Sequence, residues 1–163
     1  MDSMKKDALA QGGADEARQR RIELDDLLSG TFNSILRVEE QSLQNRITDG
    51  LTITEVHTIV AVGYRESNPM NVVASRLDVT LATLNSAINK LAKKGYVKRE
   101  RSSSDKRKML ISLTVEGRKV YRAHRLFHKE MVEEALSNLT EEEERILAKS
   151  LGKVKVFFDQ AAQ

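Results

Sequence analysis

Apolar residues fall at Leu24, Leu27, Leu28, Ile35 and Val38, with Phe32, Leu36 and Leu43 on a flanking seam; this spacing predicts a helix over about residues 22–46. Its apolar face is wider than a simple surface helix requires. Thr52-Ile53-Thr54-Glu55 has capping-box spacing and opens a second helix whose stripe is Ile53, Val56, Ile59 and Val60, ending near Gly63. Asn68-Pro69 reads as an N-cap followed by proline at the first helical position, where its missing N–H costs nothing, and starts a short helix to about Leu77. Asp78-Val79 then makes a tight turn. Thr80 caps the next helix, along which Leu81, Leu84, Ile88 and Leu91 repeat up to Gly95. Beyond Gly95 the period shifts: Tyr96-Val97 begins one strand, Met109 to Leu113 alternates as a second, and Ser102-Ser103-Ser104-Asp105 between them is turn chemistry. Thr114-Val115-Glu116-Gly117 starts a long helix with the inner stripe Val120, Ala123, His124, Phe127, Met131 and Ala135. A last helix begins at Thr140, boxed by Glu143, and continues through Ile146, Leu147, Leu151, Val154 and Phe158.

Two helices joined by a short turn and followed by a strand pair predict a winged helix-turn-helix, mainly α with a two-stranded β wing. Residues 1–20 carry Gly12-Gly13, scattered charge and few large apolar residues, and are expected to form a mobile tail. The remainder, 21–163, is expected to be one domain, with the winged helix-turn-helix at about 52–113.

Composition narrows the chemistry. The chain has no cysteine, which removes thiolate catalysis, disulfides and Cys-type zinc sites and is compatible with a reducing cytoplasm. No apolar run approaches the roughly 18 residues that span a bilayer, so the expectation is a cytoplasmic protein without a membrane partner. No GxSxG, Walker-type GxxxxGK or HExxH motif is present, and no enzyme or cofactor is expected. The net charge of +3 is small, but it is unevenly placed. From Lys93 to Lys108 eight basic residues (Lys93, Lys94, Lys98, Arg99, Arg101, Lys106, Arg107, Lys108) face two acids (Glu100, Asp105), a local +6, so the rest of the chain is net negative.

With Leu84, Ile88 and Leu91 turned inward, the helical step places Ala82, Ser86, Asn89 and Lys93 outward, with Thr83 and Asn85 at the flanks and Thr80 at the cap. Such a small polar face can enter a major groove: amides and hydroxyls read base edges and lysine meets phosphate. Taken alone it is equally an ordinary solvated helix. The basic hairpin that follows, with Arg99, Arg101, Lys106, Arg107 and Lys108 around a short turn, suits minor-groove and backbone contact. Charge runs are usually solvated surface, but a run coinciding with a helix-turn-helix and a strand pair favours DNA.

The stretch Val79-Thr80-Leu81-Ala82-Thr83-Leu84 leading into Leu91-Ala92-Lys93-Lys94-Gly95-Tyr96-Val97, the Asp105-Lys106-Arg107 element and Leu113-Thr114-Val115-Glu116-Gly117-Arg118 resemble the MarR family of bacterial transcription factors over about residues 22–160. The resemblance implies an obligate homodimer built from the first and last helices, at about 22–46 and 114–160, reading a pseudo-palindromic double-stranded operator. It also implies that Asp105 braces the wing against a basic neighbour and that Arg107 reaches the minor groove. Within the family, Phe32 to Glu40, Glu55 to Ile59 and His124 to Glu133 are similar to the fatty-acid-synthesis repressors of Gram-positive bacteria, which respond to long-chain acyl groups on acyl carrier protein.

A ligand pocket compatible with that resemblance would draw on Phe32, Ile35, Leu36, His57, Val60, His124, Phe127, His128 and Met131, with unbranched Met adapting to a flexible chain. Taken individually, most of these residues are better read as core and dimer seam. Arg21, Arg37, Arg122, Arg125 and Lys129 could meet an acidic carrier protein or simply be solvated helix charges. His124 and His128 have i,i+4 spacing that can bind metal, with Glu39 and Glu40 as possible carboxylate ligands, but HxxxH without clear further ligands is more often structural, and no metal is assigned. Two alternatives stay open: a MarR-type regulator sensing zinc or another small molecule, and a winged helix that binds protein instead of DNA.

Overall fold

The computed structural model describes residues 2–46, 50–103, 105 and 107–161. The described chain contains α1 (Asp2–Arg46), α2 (Ile53–Val62), β1 (Asn68–Pro69), α3 (Met70–Leu77), α4 (Leu81–Lys93), β2 (Val97–Arg101), β3 (Met109–Leu113), α5 (Val115–Leu136) and α6 (Glu141–Ala161). Two compact units, Met1–Thr54 and Glu55–Gln163, divide it.

The first unit is dominated by α1. The helix runs through the segment expected to be a tail, where Ala, Lys, Gln, Arg and Glu favour a helix against Gly12-Gly13 and the poorer formers Asp2, Asp7 and Asp15. Leu24, Leu27, Leu28, Phe32, Ile35, Leu36 and Val38 are all exposed along α1. Leu43 lies outside the residues whose side chains are described.

The second unit closes around an aliphatic core. Val56, Ile59 and Val62 of α2, Val73 of α3, Leu84, Ile88 and Leu91 of α4, Ile111 and Leu113 of β3 and Val120 of α5 are essentially inaccessible. Full burial of such a side chain stabilises by roughly 1.5–3 kcal/mol. The inward stripe expected for α4 is thus the one observed; on α2, Val62 joins the core while Ile53 and Val60 stay half-buried.

Three strands form the sheet, in the order β1-β3-β2, so the wing's pair gains a short third member. β2 and β3 are antiparallel with Val97 opposite Leu113 and Arg101 opposite Met109, and Asn68 and Pro69 of β1 lie opposite Ile111 and Leu110. This revises the reading of Asn68 as an N-cap. Its buried amide instead donates to the Val62 carbonyl at 2.8 Å, satisfying the end of α2. Pro69 becomes the N-cap of α3 and sits on an edge strand, where a missing N–H is tolerated.

The turn between α3 and α4 is set by Asp78, which adopts a left-handed conformation (φ 52°, ψ 47°) that Asp tolerates better than most residues. Gly95 (φ 83°) ends α4 in the same region, and Tyr96 N–H donates to the Leu91 carbonyl at 3.0 Å to close the helix end. The start of α5 docks on this corner. Thr114 accepts from the Gly117 N–H at 3.1 Å, donates its hydroxyl to the Gly95 carbonyl at 2.7 Å, and gives its backbone N–H to the Tyr96 carbonyl at 3.0 Å. Gly117 allows the approach, because a Cβ there would lie 2.1 Å from the Tyr96 carbonyl oxygen.

Candidate nucleic-acid interface

The polar face of α4 forms as its periodicity requires: Ala82, Thr83, Asn85, Ser86, Asn89 and Lys93 are all exposed opposite the buried Leu84, Ile88 and Leu91. Thr80 caps the helix, accepting from the Thr83 N–H at 3.2 Å, and the two hydroxyls lie 2.9 Å apart. The cap satisfies an N–H in the first turn of the helix, and the Thr83 hydroxyl is already engaged with it. Asn85 and Asn89, four residues apart, share one face.

Arg99, on β2, reaches across to that face. Its guanidinium donates to Asn85 Oδ1 at 3.1 Å and to Asn89 Oδ1. Both amide oxygens are thus held by one wing residue, which leaves the Nδ2 donors to point elsewhere. Sequence reasoning counted Arg99 in the basic run but did not place it among the reading residues. The available signal was the strand alternation that puts Arg99 two residues beyond the buried Val97.

The wing tip is braced by short-range hydrogen bonds. Ser102 N–H donates to the Lys108 carbonyl at 2.9 Å, Lys108 N–H to the Asp105 carbonyl at 2.9 Å, and Asp105 N–H to the Ser102 hydroxyl at 3.3 Å. The Asp105 carboxylate accepts from the Arg107 backbone N–H at 3.1 Å and pairs with its side chain at 3.4 Å. The Arg107 side chain is nonetheless 93% exposed, so it projects from the tip while its base is tethered. Arg101 is exposed on β2. Lys106 lies outside the described residues.

Not every cation of the run is available to a partner. Lys94 Nζ lies 2.8 Å from both carboxylate oxygens of Glu55, tying the end of α4 to the first turn of α2. Lys93 near the end of α4, Arg101 at the end of β2 and Arg107 at the wing tip are exposed, as are Lys90, Lys98 and Lys108, and cations of this kind can neutralise phosphates beside a helix that presents hydrogen-bonding side chains.

Of the expected ligand-pocket residues, four aromatic rings on α2 and α5 come together. His57 and His124 meet edge to face with centroids 5.5 Å apart, His124 and His128 lie tilted at 57° with centroids 4.4 Å apart, and Phe127 meets His128 edge to face at 5.5 Å. The Nε2 atoms of His124 and His128 are 3.2 Å apart. Val60 and Met131 are half-buried, whereas Phe32, Ile35 and Leu36 lie exposed on α1 in the other unit.

Residues 43–123 match the family model described as transcriptional regulator SarA/Rot. The chain is 34% identical to Streptococcus pneumoniae FabT in its crystal structure in complex with DNA, covering 85% of this chain and 97% of that one with a TM-score of 0.81. It belongs to the MarR/SarA-type winged-helix transcriptional regulators. Among curated relatives, the regulator is 33% identical over 98 residues to the HTH-type transcriptional regulator YhjH of Bacillus subtilis, a match spanning 57% of this chain and only 55% of YhjH. It is 29% identical over 111 residues to the HTH-type transcriptional regulator BilQ of Clostridium symbiosum, covering 66% of this chain and 76% of BilQ. These proteins are regulators, not enzymes. Among the described residues, no helix of the regulator is long and apolar enough to cross a membrane.

Proposed function

We propose that this regulator is a homodimeric repressor that binds double-stranded operator DNA through α4 and the wing, controls fatty-acid biosynthesis genes, and responds to acyl carrier protein loaded with a long acyl chain. One observation carries the DNA reading: the outward Asn85, Ser86 and Asn89 face of α4, with Arg99 bound to both amides and the exposed cations Lys93, Arg101 and Arg107 following the face along the chain. Asparagine amides read base edges in the major groove, and a projecting arginine such as Arg107 is suited to the narrow minor groove. The likeness to FabT, a protein solved in complex with DNA, supports the same assignment.

The homodimer reading rests on the long apolar series left exposed on α1 and on Ile146, Leu147, Leu151, Val156, Phe157 and Phe158 of α6. Exposed apolar surface of that extent is unusual on a monomer and is covered if two copies associate. Two recognition helices must lie about one turn of DNA apart, roughly 34 Å, to enter successive major grooves. A ligand that alters that spacing controls affinity without touching the reading face.

The deciding experiment is fluorescence anisotropy on duplex from the regulator's own promoter, titrated with acylated carrier, with bare carrier, and separately with zinc against a chelator control. A shift with acylated but not bare carrier supports the lipid-responsive reading. A response to zinc alone moves sensing to His124 and His128. Absence of salt-dependent operator binding overturns the DNA reading and favours a protein partner.

A further inference from the structure

An open cavity of about 610 Å³, which shares no lining residue with the α4 face or the histidine cluster, is lined by residues that include Tyr64, Arg65, Arg76, Tyr121, Arg122 and Arg125. It joins four parts of the second unit: the loop after α2, β1, α3 and the middle of α5. Four guanidiniums border it against one acid, Glu66. Among the described residues, none of the four makes an ion pair with a carboxylate. That is unlike other charged groups on α5 and α6, where Lys119, Lys129, Arg145 and Lys155 each pair with an acid one turn away.

Two of the arginines are positioned by neutral groups. The Arg76 guanidinium donates to the Ala61 carbonyl at 2.9 Å. Arg122 stacks over the Tyr64 ring with its guanidinium carbon 5.9 Å from the centroid and donates to the Tyr64 hydroxyl at 3.3 Å. Tyr64 in turn packs on Tyr121, with ring centroids 5.5 Å apart. The Tyr64 ring and the Ala61 carbonyl therefore orient two cations while leaving their charge uncompensated.

We infer that this cavity binds a phosphate-bearing ligand, with Arg65, Arg122 and Arg125 meeting the anion and the Tyr64–Tyr121 pair forming the floor beneath the rest of the molecule. A single carboxylate is satisfied by one forked guanidinium, whereas a phosphate offers three or more oxygens and can engage several at once. The volume matches that of small-molecule sites, which run at about 300–1,000 Å³. The phosphate can come from a free metabolite or from the phosphodiester of a carrier protein's prosthetic arm. The second source rests on the lipid-responsive reading above and the first does not. Because the cavity joins α3, the first helix of the helix-turn-helix, to α5, its occupancy bears on how α3 and α4 are held.

The test is isothermal titration of the full chain, in the absence of DNA, with inorganic phosphate, phosphopantetheine and pantetheine at constant ionic strength. Saturable binding of the phosphorylated probes but not of pantetheine is expected. Arg122→Ala with Arg125→Ala should weaken it by roughly ten- to hundredfold, the loss of charged hydrogen bonds. Arg65→Ala, on an exposed loop, provides a second variant that spares the helices, and should weaken it in the same direction. A comparison of holo-carrier with apo-carrier separates the sources: a gain for the holo form that the arginine variants abolish assigns the carrier arm, and no gain alongside tight phosphopantetheine binding assigns a free metabolite. Pantetheine binding as well as its phosphate, affinity unchanged in all the arginine variants, or no saturable binding of any phosphate probe overturns the inference. Because these titrations contain no DNA, that failure is separate from a failure of operator binding.

Discussion

Arg99 separates a structural from an electrostatic role within one basic run. It donates to the carbonyl oxygens of both Asn85 and Asn89, so it orients the amides that face outward from α4. Arg99→Ala should therefore relax sequence preference at the positions that Asn85 and Asn89 read, by about 1–3 kcal/mol of discrimination per position. Arg107→Ala should behave differently, because Arg107 is tethered at its base by Asp105 and projects at the tip. It should weaken binding across sequences and reduce the slope of log affinity against log salt by about 1. Anisotropy on operator and scrambled duplexes at several salt concentrations checks both, and identical effects of the two substitutions would refute the division of labour. The α4 face was legible because three buried aliphatics fix the phase of a helix and so fix what lies opposite. The Arg99 link was not, because strand alternation states only which side of the sheet a residue occupies and says nothing of its reach onto a neighbouring helix.

At the scale of elements, caps and corners were largely readable, and long-range hydrogen bonds were not. Thr80 and Thr140 cap helices as their spacing implies, since the partners lie within three residues. Asn68 failed the same logic because a buried amide six residues from the α2 terminus found the Val62 carbonyl, a contact that local spacing does not encode. Pairing of β1 with β3 was invisible for a related reason: a two-residue strand carries no period. Gly117 makes a further case, since its role comes from the Tyr96 carbonyl across the corner. Gly117→Ala should destabilise the fold by about 1–3 kcal/mol, seen as a lowered denaturation midpoint, because the new methyl must displace backbone. At Thr140 the consequence is in titration. The Glu143 carboxylate accepts from the Thr140 backbone N–H and then from its hydroxyl, which lowers its pKa from the ordinary value. A lowered folded-state pKa means the box contributes above the ordinary carboxylate range and is lost as pH falls through the lowered value. An NMR titration should find Glu143 ionising below the ordinary glutamate value, and Thr140→Ala should bring it back towards that value.

For the molecule as a whole, the distribution of apolar surface argues for assembly. The second unit buries a complete aliphatic core around α2, α3, α4, the sheet and the first half of α5, and this core needs no partner. Beyond it, α6 has no buried residue at all, and Leu151 and Phe158 are exposed along it. A helix of 21 residues with apolar positions recurring at helical spacing and no buried residue presents an apolar face of the kind that an interface covers. The amphipathic pattern of α1 and α6 was visible in the sequence, but periodicity identifies a face without saying whether the same chain or another copy covers it. If two copies supply the cover, replacing Leu151 or Phe158 with Glu should leave the winged-helix core intact while lowering the dimer fraction in sedimentation velocity. Operator affinity should fall with it, because a monomer loses the second half-site and the effective concentration that links the two. A variant that stays dimeric, or a monomer that keeps full operator affinity, would show that α6 serves another purpose, whereas loss of both together would make dimerisation the condition on which the reading face of α4 works.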